Sequence, residues 1–151
     1  MERRHVADPP LYGTPVPGQD YWWRPGVYGL VTDRRGRLAV VDVLGELFLP
    51  GGGVEGSESD EATLKREFAE ETGLVIVVGA KVWEANEYAW STAEGHFVKQ
   101  GRFYEAVATG RSVDPVEDDH SLVWISPAEA QRSLVHASQR DLVSRWAPMP
   151  R

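Results

Sequence analysis

The chain has 151 residues, no cysteine, and 23 Asp plus Glu against 16 Lys plus Arg. That length can bury a continuous core without staples, and the missing thiols exclude a disulfide framework, a zinc ribbon and a cysteine nucleophile, leaving oxygen or imidazole as the only strong metal ligands. No run reaches the roughly 18 apolar residues of a bilayer span, and the first twenty residues lack the apolar core of a signal peptide, so a soluble, cytoplasmic protein without membrane attachment is expected.

In chain order, residues 1–25 carry Pro9, Pro10, Pro15, Pro17 and Pro25, too closely spaced for a helix or a central strand, and read as an irregular arm. Its aromatic end, Tyr21-Trp22-Trp23, is expected to pack on the domain; the alternative is a base-stacking platform. The arm also offers a surface that two subunits of a homodimer could exchange. Residues 26–151 read as one domain. VYGLVTD and LAVVDVL flank a turn at Arg34–Gly36 and read as a hairpin, with Arg34, Arg35 and Arg37 at its solvated tip. LFLP is a short strand, stopped by Pro50 and Gly51–Gly53. A helix follows, capped by Ser57 or Ser59, with Glu58, Asp60 and Glu61 at the positive end of its dipole and Gly73 at its close. Two long β-rich stretches, LVIVVGAKVWEANEYAW and HFVKQGRFYEAVATG, pair across STAEG. The loop DPVEDD leads to a last short strand, LVWIS, and Pro127 opens a helical tail broken near His136. This order predicts an α/β fold, a mixed sheet sandwiched between helices.

Charge is concentrated in two places. Glu55 to Glu71 holds seven acids and two bases, and Asp114 to Asp119 holds four acids and no base, leaving the rest of the chain slightly basic. No basic stripe exists to bind a nucleic acid polymer. On a helical wheel Glu67 and Glu71 lie within about 40° of each other, and Glu70 about 60° to the other side. Leu64 and Leu74 share the acid side, whereas Glu61, Lys65 and Thr72 take the far side. The acids therefore face partly inward, where uncompensated charge is costly, and a divalent cation is the simplest compensation. Oxygen ligands without cysteine make Mg²⁺ or Mn²⁺ the natural ion.

Gly52, five residues, Glu58, seven residues, Arg66-Glu67-Phe68, one residue, Glu70-Glu71, one residue, Gly73-Leu74 resembles the Nudix box at every specified position. By average residue usage this pattern arises by chance at below roughly 10⁻⁸ per start position. The flanking strand order and helical tail extend the resemblance over about residues 25–146. The resemblance implies a Nudix fold and hydrolysis of a nucleoside diphosphate linked to another moiety. It implies metal binding by the Gly51 carbonyl, Glu67, Glu70 and Glu71, with Arg66 orienting the carboxylates through a salt bridge, expected with Glu58. The glycines, Gly52 and Gly53 included, let backbone approach metal or phosphate closely. Metal ions neutralise pyrophosphate oxygens and acidify a bound water, and a carboxylate takes its proton. Glu70 is the first candidate for that base, Glu71 the second, and an acid among Glu117, Asp118 and Asp119 the third.

Lys99 and Arg102, on a strand expected near the site, are candidates for substrate phosphate. Trp83, Tyr88, Trp90 and Phe97 read as core or rim aromatics, with stacking of one of them on a base the alternative in a nucleotide site. His5, His96, His120 and His136 show no ligand spacing and read as ordinary surface or loop histidines. Patterns of several subfamilies are missing, which points toward nucleoside triphosphates. The alternative function is a nucleotide-sensing Nudix domain without turnover; the intact box argues against it.

Overall fold

The computed structural model describes residues 8–146; His5 and the rest of 1–7, like 147–151 of the expected domain, lie outside the described residues. The elements are β1 (Leu11–Tyr12), β2 (Trp22–Leu30), β3 (Leu38–Val43), β4 (Glu46–Phe48), β5 (Gly51–Gly53), α1 (Asp60–Thr72), β6 (Leu74–Ser91), β7 (Gly95–Ser112), β8 (His120–Ile125), α2 (Pro127–Ser133) and α3 (Ala137–Trp146). None of the described helices is long and apolar enough to cross a membrane.

The expected hairpin of β2 and β3 exists only at its base. Ala39 donates its N–H to the Val31 carbonyl at 2.8 Å, and the turn closes on Gly36 at φ +75°. Beyond that the strands part. β2 enters a five-stranded sheet ordered β1-β6-β7-β2-β5, whereas β3 enters a three-stranded sheet ordered β4-β3-β8. Both strands carry a continuous buried run rather than an alternating one, over Gly26–Leu30 and Leu38–Val41. Such runs mark strands covered on both faces, and each strand needs its own lateral partners.

Successive residues of these strands feed opposite cores. Val27 and Val31 pack with Leu64 and Phe68 of α1, whereas Tyr28 and Leu30 pack with Leu134, Leu142 and Val143 beside α2 and α3. Helices therefore cover both faces of the β layer, giving the expected α/β sandwich. Gly29 is required where Phe68 approaches, since a Cβ there would lie 2.6 Å from the phenyl ring.

The arm is more regular than its prolines suggest. Leu11–Tyr12 runs parallel to Asn86–Glu87, and β2 starts at Trp22, pairing in parallel with β7 from Trp22 opposite Phe97 to Leu30 opposite Glu105. Pro25 lies at the end of the pairing with β5, where its carbonyl still accepts the Val54 N–H at 3.0 Å and only the N–H that proline lacks is lost. The long strands β6 and β7 pair antiparallel across the turn between Ser91 and Gly95.

Ser59 caps α1, its hydroxyl accepting from the Ala62 N–H, and Gly73 ends the helix at φ +74°. Thr72, assigned to the solvent side by the wheel, is buried instead, with its hydroxyl donating to the Phe68 carbonyl. The reason is tertiary: the 113–117 segment folds back over this helix end, donating from Val113 to the Gly73 carbonyl and from Val116 and Glu117 to the Glu70 carbonyl.

Candidate active site

The helix α1 and the glycine strand β5 build the site together. Arg66 forks onto Glu58, with Nε and Nη2 each 2.8 Å from one carboxylate oxygen. Its Nη1 reaches Glu67 at 2.8 Å and Glu70 at 3.3 Å, and Nη2 also donates to the Gly53 carbonyl at 3.2 Å. One guanidinium thus ties three glutamates of the helix region to the strand. The hydrogen bonds from Arg66, helped by the Glu55 N–H, hold the Glu58 carboxyl down at about 2.

Glu71 points the other way along the same face and is nearly buried. Its Oε1 accepts the Gly51 N–H at 2.8 Å, and its Oε2 lies 3.5 Å from His120 Nε2. Burial pushes its carboxyl up to about 8, and the neighbouring charges of Glu67 and Glu117 push the same way. Burial also raises Glu67, against the pull of Arg66. Gly52 leaves room for Glu67: a Cβ at Gly52 would sit 2.7 Å from that carboxylate. The donor set is all oxygen apart from His120, it is short of positive charge, and the backbone approaches it through glycines. That chemistry fits a hard divalent ion at Gly51, Glu67, Glu70 and Glu71.

A cleft of about 640 Å³ opens beside this cluster, with Gly51, Gly52, Glu71 and His120 at one end. Lys99 lies in its wall, 7% exposed, its ammonium 4.1 Å over the Tyr28 ring. Burial pushes this lysine down to about 7. The strand places Arg102 elsewhere. Three residues on from Lys99 it emerges on the opposite face of β7, where its guanidinium is held by Asp60 at 2.7 and 2.8 Å, beside the Tyr104 hydroxyl on the same carboxylate. Strand alternation explains the correction: of two candidates an odd number apart, only one can face the cleft.

The acidic loop does reach the site. Glu117 and Asp119 gather with His120 so that one ligand atom from each lies within 4.8 Å of the others. His120 bridges, with Nδ1 2.8 Å from Asp119 and Nε2 near Glu71. The structure thus corrects the expectation of an ordinary surface histidine at His120, whose only sequence signal is its place directly after three consecutive acids. His136 is a loop histidine between α2 and α3 as expected, but half-buried: its Nδ1 lies 3.3 Å from buried Glu87, and burial lowers its pKa. Arg24, which carried no signal, lines the same cleft.

Three solved structures share this architecture. The MutT protein from Methanosarcina mazei Go1 aligns with a TM-score of 0.59 at 19% identity, over 85% of this chain and 95% of its own. The ADP-ribose pyrophosphatase from Streptococcus suis 89-1591 aligns at 0.60 and 15%, over 85% and 94%. The MutT NUDIX hydrolase from Burkholderia pseudomallei aligns at 0.57 and 24%, over 82% and 97%. Identities this low speak for the fold. The sequence itself speaks for the family: the NUDIX domain family model matches residues 22–146, nearly the whole described chain and all of the carboxylate cluster, so the chain belongs to the NUDIX family.

Proposed function

We propose that the protein is a metal-dependent pyrophosphohydrolase that uses water to cleave a phosphoanhydride bond of a nucleotide-like substrate. The observation that carries this is that Glu71 and Glu67 meet the glycine strand at Gly51 and Gly52, while Arg66 ties Glu67 and Glu70 to the Gly53 carbonyl. The names of the structural relatives, MutT hydrolase and ADP-ribose pyrophosphatase, point to the same class of bond.

In this reading the Gly51 carbonyl, Glu67, Glu70 and Glu71 hold Mg²⁺ or Mn²⁺. The ion supplies charge neutralisation of the pyrophosphate oxygens and acidification of water. The chain does the rest. Arg66, anchored by Glu58, keeps Glu67 and Glu70 from splaying into solvent. The buried Glu71 carboxyl, raised by burial and by the charges of Glu67 and Glu117, would be drawn to its charged form by a cation beside it. Glu70 is less buried than Glu67 and shares only the longer contact with Arg66, which leaves an oxygen free to take a proton from water. Lys99 receives phosphate in the cleft wall, and the substrate is a nucleoside triphosphate or another nucleoside diphosphate derivative.

A phosphate- and pyrophosphate-release assay across nucleoside triphosphates, dinucleoside polyphosphates and nucleotide sugars, with Mg²⁺, Mn²⁺ or EDTA, tests the reading. Release from at least one class, abolished by EDTA, is expected. Binding without release under every metal condition would overturn it in favour of a nucleotide sensor.

A further inference from the structure

Arg24 and Lys99 stand side by side. They are partnered positions in the register of the parallel pair β2 and β7, and both line the cleft. Like charges at adjacent positions on one sheet face repel each other. The fold compensates them poorly. Lys99 is buried and forms no salt bridge among the described residues; what lies under it is the face of Tyr28. The three carboxylates that attract it are already engaged, Glu87 by the N–H groups of Ala137 and Ser138, Glu71 by the N–H of Gly51, and Glu94 by Arg24. Arg24 rests 5.4 Å over Phe97, and its carboxylate partner is Glu94 at 3.0 Å, in the turn joining β6 to β7.

The pair also lies next to the carboxylate cluster. A Cβ at Gly53 would sit 2.8 Å from the Arg24 guanidinium, while one at the preceding Gly52 would strike Glu67. β5 is therefore a seam one residue wide, with the carboxylates on one side and the cation pair on the other.

We infer that Arg24 and Lys99 form an anion subsite for the terminal phosphate of a nucleoside polyphosphate, adjacent to the anhydride held at the carboxylates. This rests on the hydrolase reading of the same site. Charge selects the ligand. A terminal phosphate carries about −1.5 to −2 at neutrality, a charge that the two side chains match once the anion holds Lys99 in its ammonium form, whereas a phosphate substituted on both sides carries one negative charge. A diphosphate capped at both ends has no group of the first kind to offer. Lys99 and Arg24 are then specificity-determining residues.

The test uses two analogues that resist hydrolysis, ATP with methylene groups in both phosphate bridges and α,β-methylene ADP-ribose, titrated calorimetrically with Mg²⁺ into the wild-type chain and the Lys99→Met and Arg24→Gln variants. The triphosphate analogue is expected to bind the wild type at least ~10-fold more tightly, the scale of one charge-assisted hydrogen bond. Each variant is expected to lose that advantage while its affinity for the ADP-ribose analogue stays within about twofold. Lys99→Met removes a buried, unpaired charge, so the melting temperature of the free protein is expected to hold or rise. Equal affinities in the wild type, or a parallel loss for both analogues together with a lower melting temperature, would overturn the inference and make Lys99 a structural partner of Glu87. Failure of the hydrolase reading would appear separately, as absence of release from the natural substrates while the analogues still bind.

Discussion

Glu87 tests how burial and helix capping set a charge, away from the carboxylate cluster. It sits on β6, buried, where its carboxylate accepts from the N–H groups of Ser138 at 2.9 Å and Ala137 at 3.2 Å and lies 3.3 Å from His136 Nδ1. α3 begins at Ala137 and is preceded by His136, not by Ser, Thr, Asp or Asn, so a strand carboxylate performs the capping that the local sequence lacks. Burial alone would raise its pKa, but the hydrogen bonds from His136 and Ser138 outweigh it and hold the carboxyl down at about 2, from an ordinary 4.5. At about 1.4 kcal/mol per pKa unit, that depression stabilises the fold by about 3 kcal/mol at neutral pH. The sign follows from the direction of the shift. A carboxyl whose folded pKa is depressed contributes fully above its unfolded value near 4.5, and the contribution is lost as pH falls from there toward 2. Glu87→Gln retains one acceptor oxygen and no charge, so it is expected to cost about 2–3 kcal/mol at pH 7, with the gap to wild type closing below pH 4.5. Urea unfolding followed by circular dichroism at pH 7, 4.5, 3.5 and 2.5 measures it, and repeating the comparison with His136→Gln in both chains removes the imidazole's own titration. A gap that stays constant down to pH 2.5, or no gap at pH 7, would refute the account of α3 capping.

At the site, Gly52→Ala places a methyl within 2.7 Å of the Glu67 carboxylate and is expected to raise the Mg²⁺ requirement and lower kcat/KM at least ~10-fold, with little change in melting temperature, because the displaced group is a side chain end. Glu70→Gln is expected to lower turnover at least ~100-fold with the circular dichroism spectrum intact, the scale of losing a positioned base; near-normal turnover would move the base to Glu71 or the 117–119 loop. Glu67→Gln is expected to shift the metal concentration for half activity upward, and an unchanged metal titration would remove Glu67 from the ligand set. Arg66→Lys keeps the charge but cannot fork onto Glu58 while reaching Glu67 and Glu70, so kcat is expected to fall about 10- to 100-fold; full activity would mean that charge alone is needed there.

What the sequence made legible was what short-range physics decides. The cap at Ser59, the left-handed stop at Gly73, the Pro127 start and the break before α3 all follow from backbone preferences of single residues. The inward-facing acids were legible because a helical face repeats every 3.6 residues, whatever lies opposite it. The hairpin of β2 and β3 failed for the converse reason. A short apolar run shows that a strand is covered on both faces but not which strand covers it, and here β2 pairs with β7, about seventy residues away, after the first turn.

The same limit shaped the site. The box is local, so one contiguous stretch from Gly51 to Glu71 contained its members. The cleft wall is not. Arg24 sits beside Lys99 only because β2 and β7 pair in parallel, a register that also sends Arg102 to the far face and into the grip of Asp60. His120 approaches Glu71 only because Val116 and Glu117 both donate to the Glu70 carbonyl in the last turn of α1 and carry the loop back over the helix. A spacing rule can find ligands that share a helix, but residues contributed by crossing strands are selected by register. Register is also what relatives of one fold can change cheaply, by altering strand entry points and loops while the helix stays fixed. Substrate preference in this chain should therefore follow the cross-strand pair more than the box, and exchanging residues at positions 24 and 99 should alter which anhydride is preferred while leaving the metal dependence as it was.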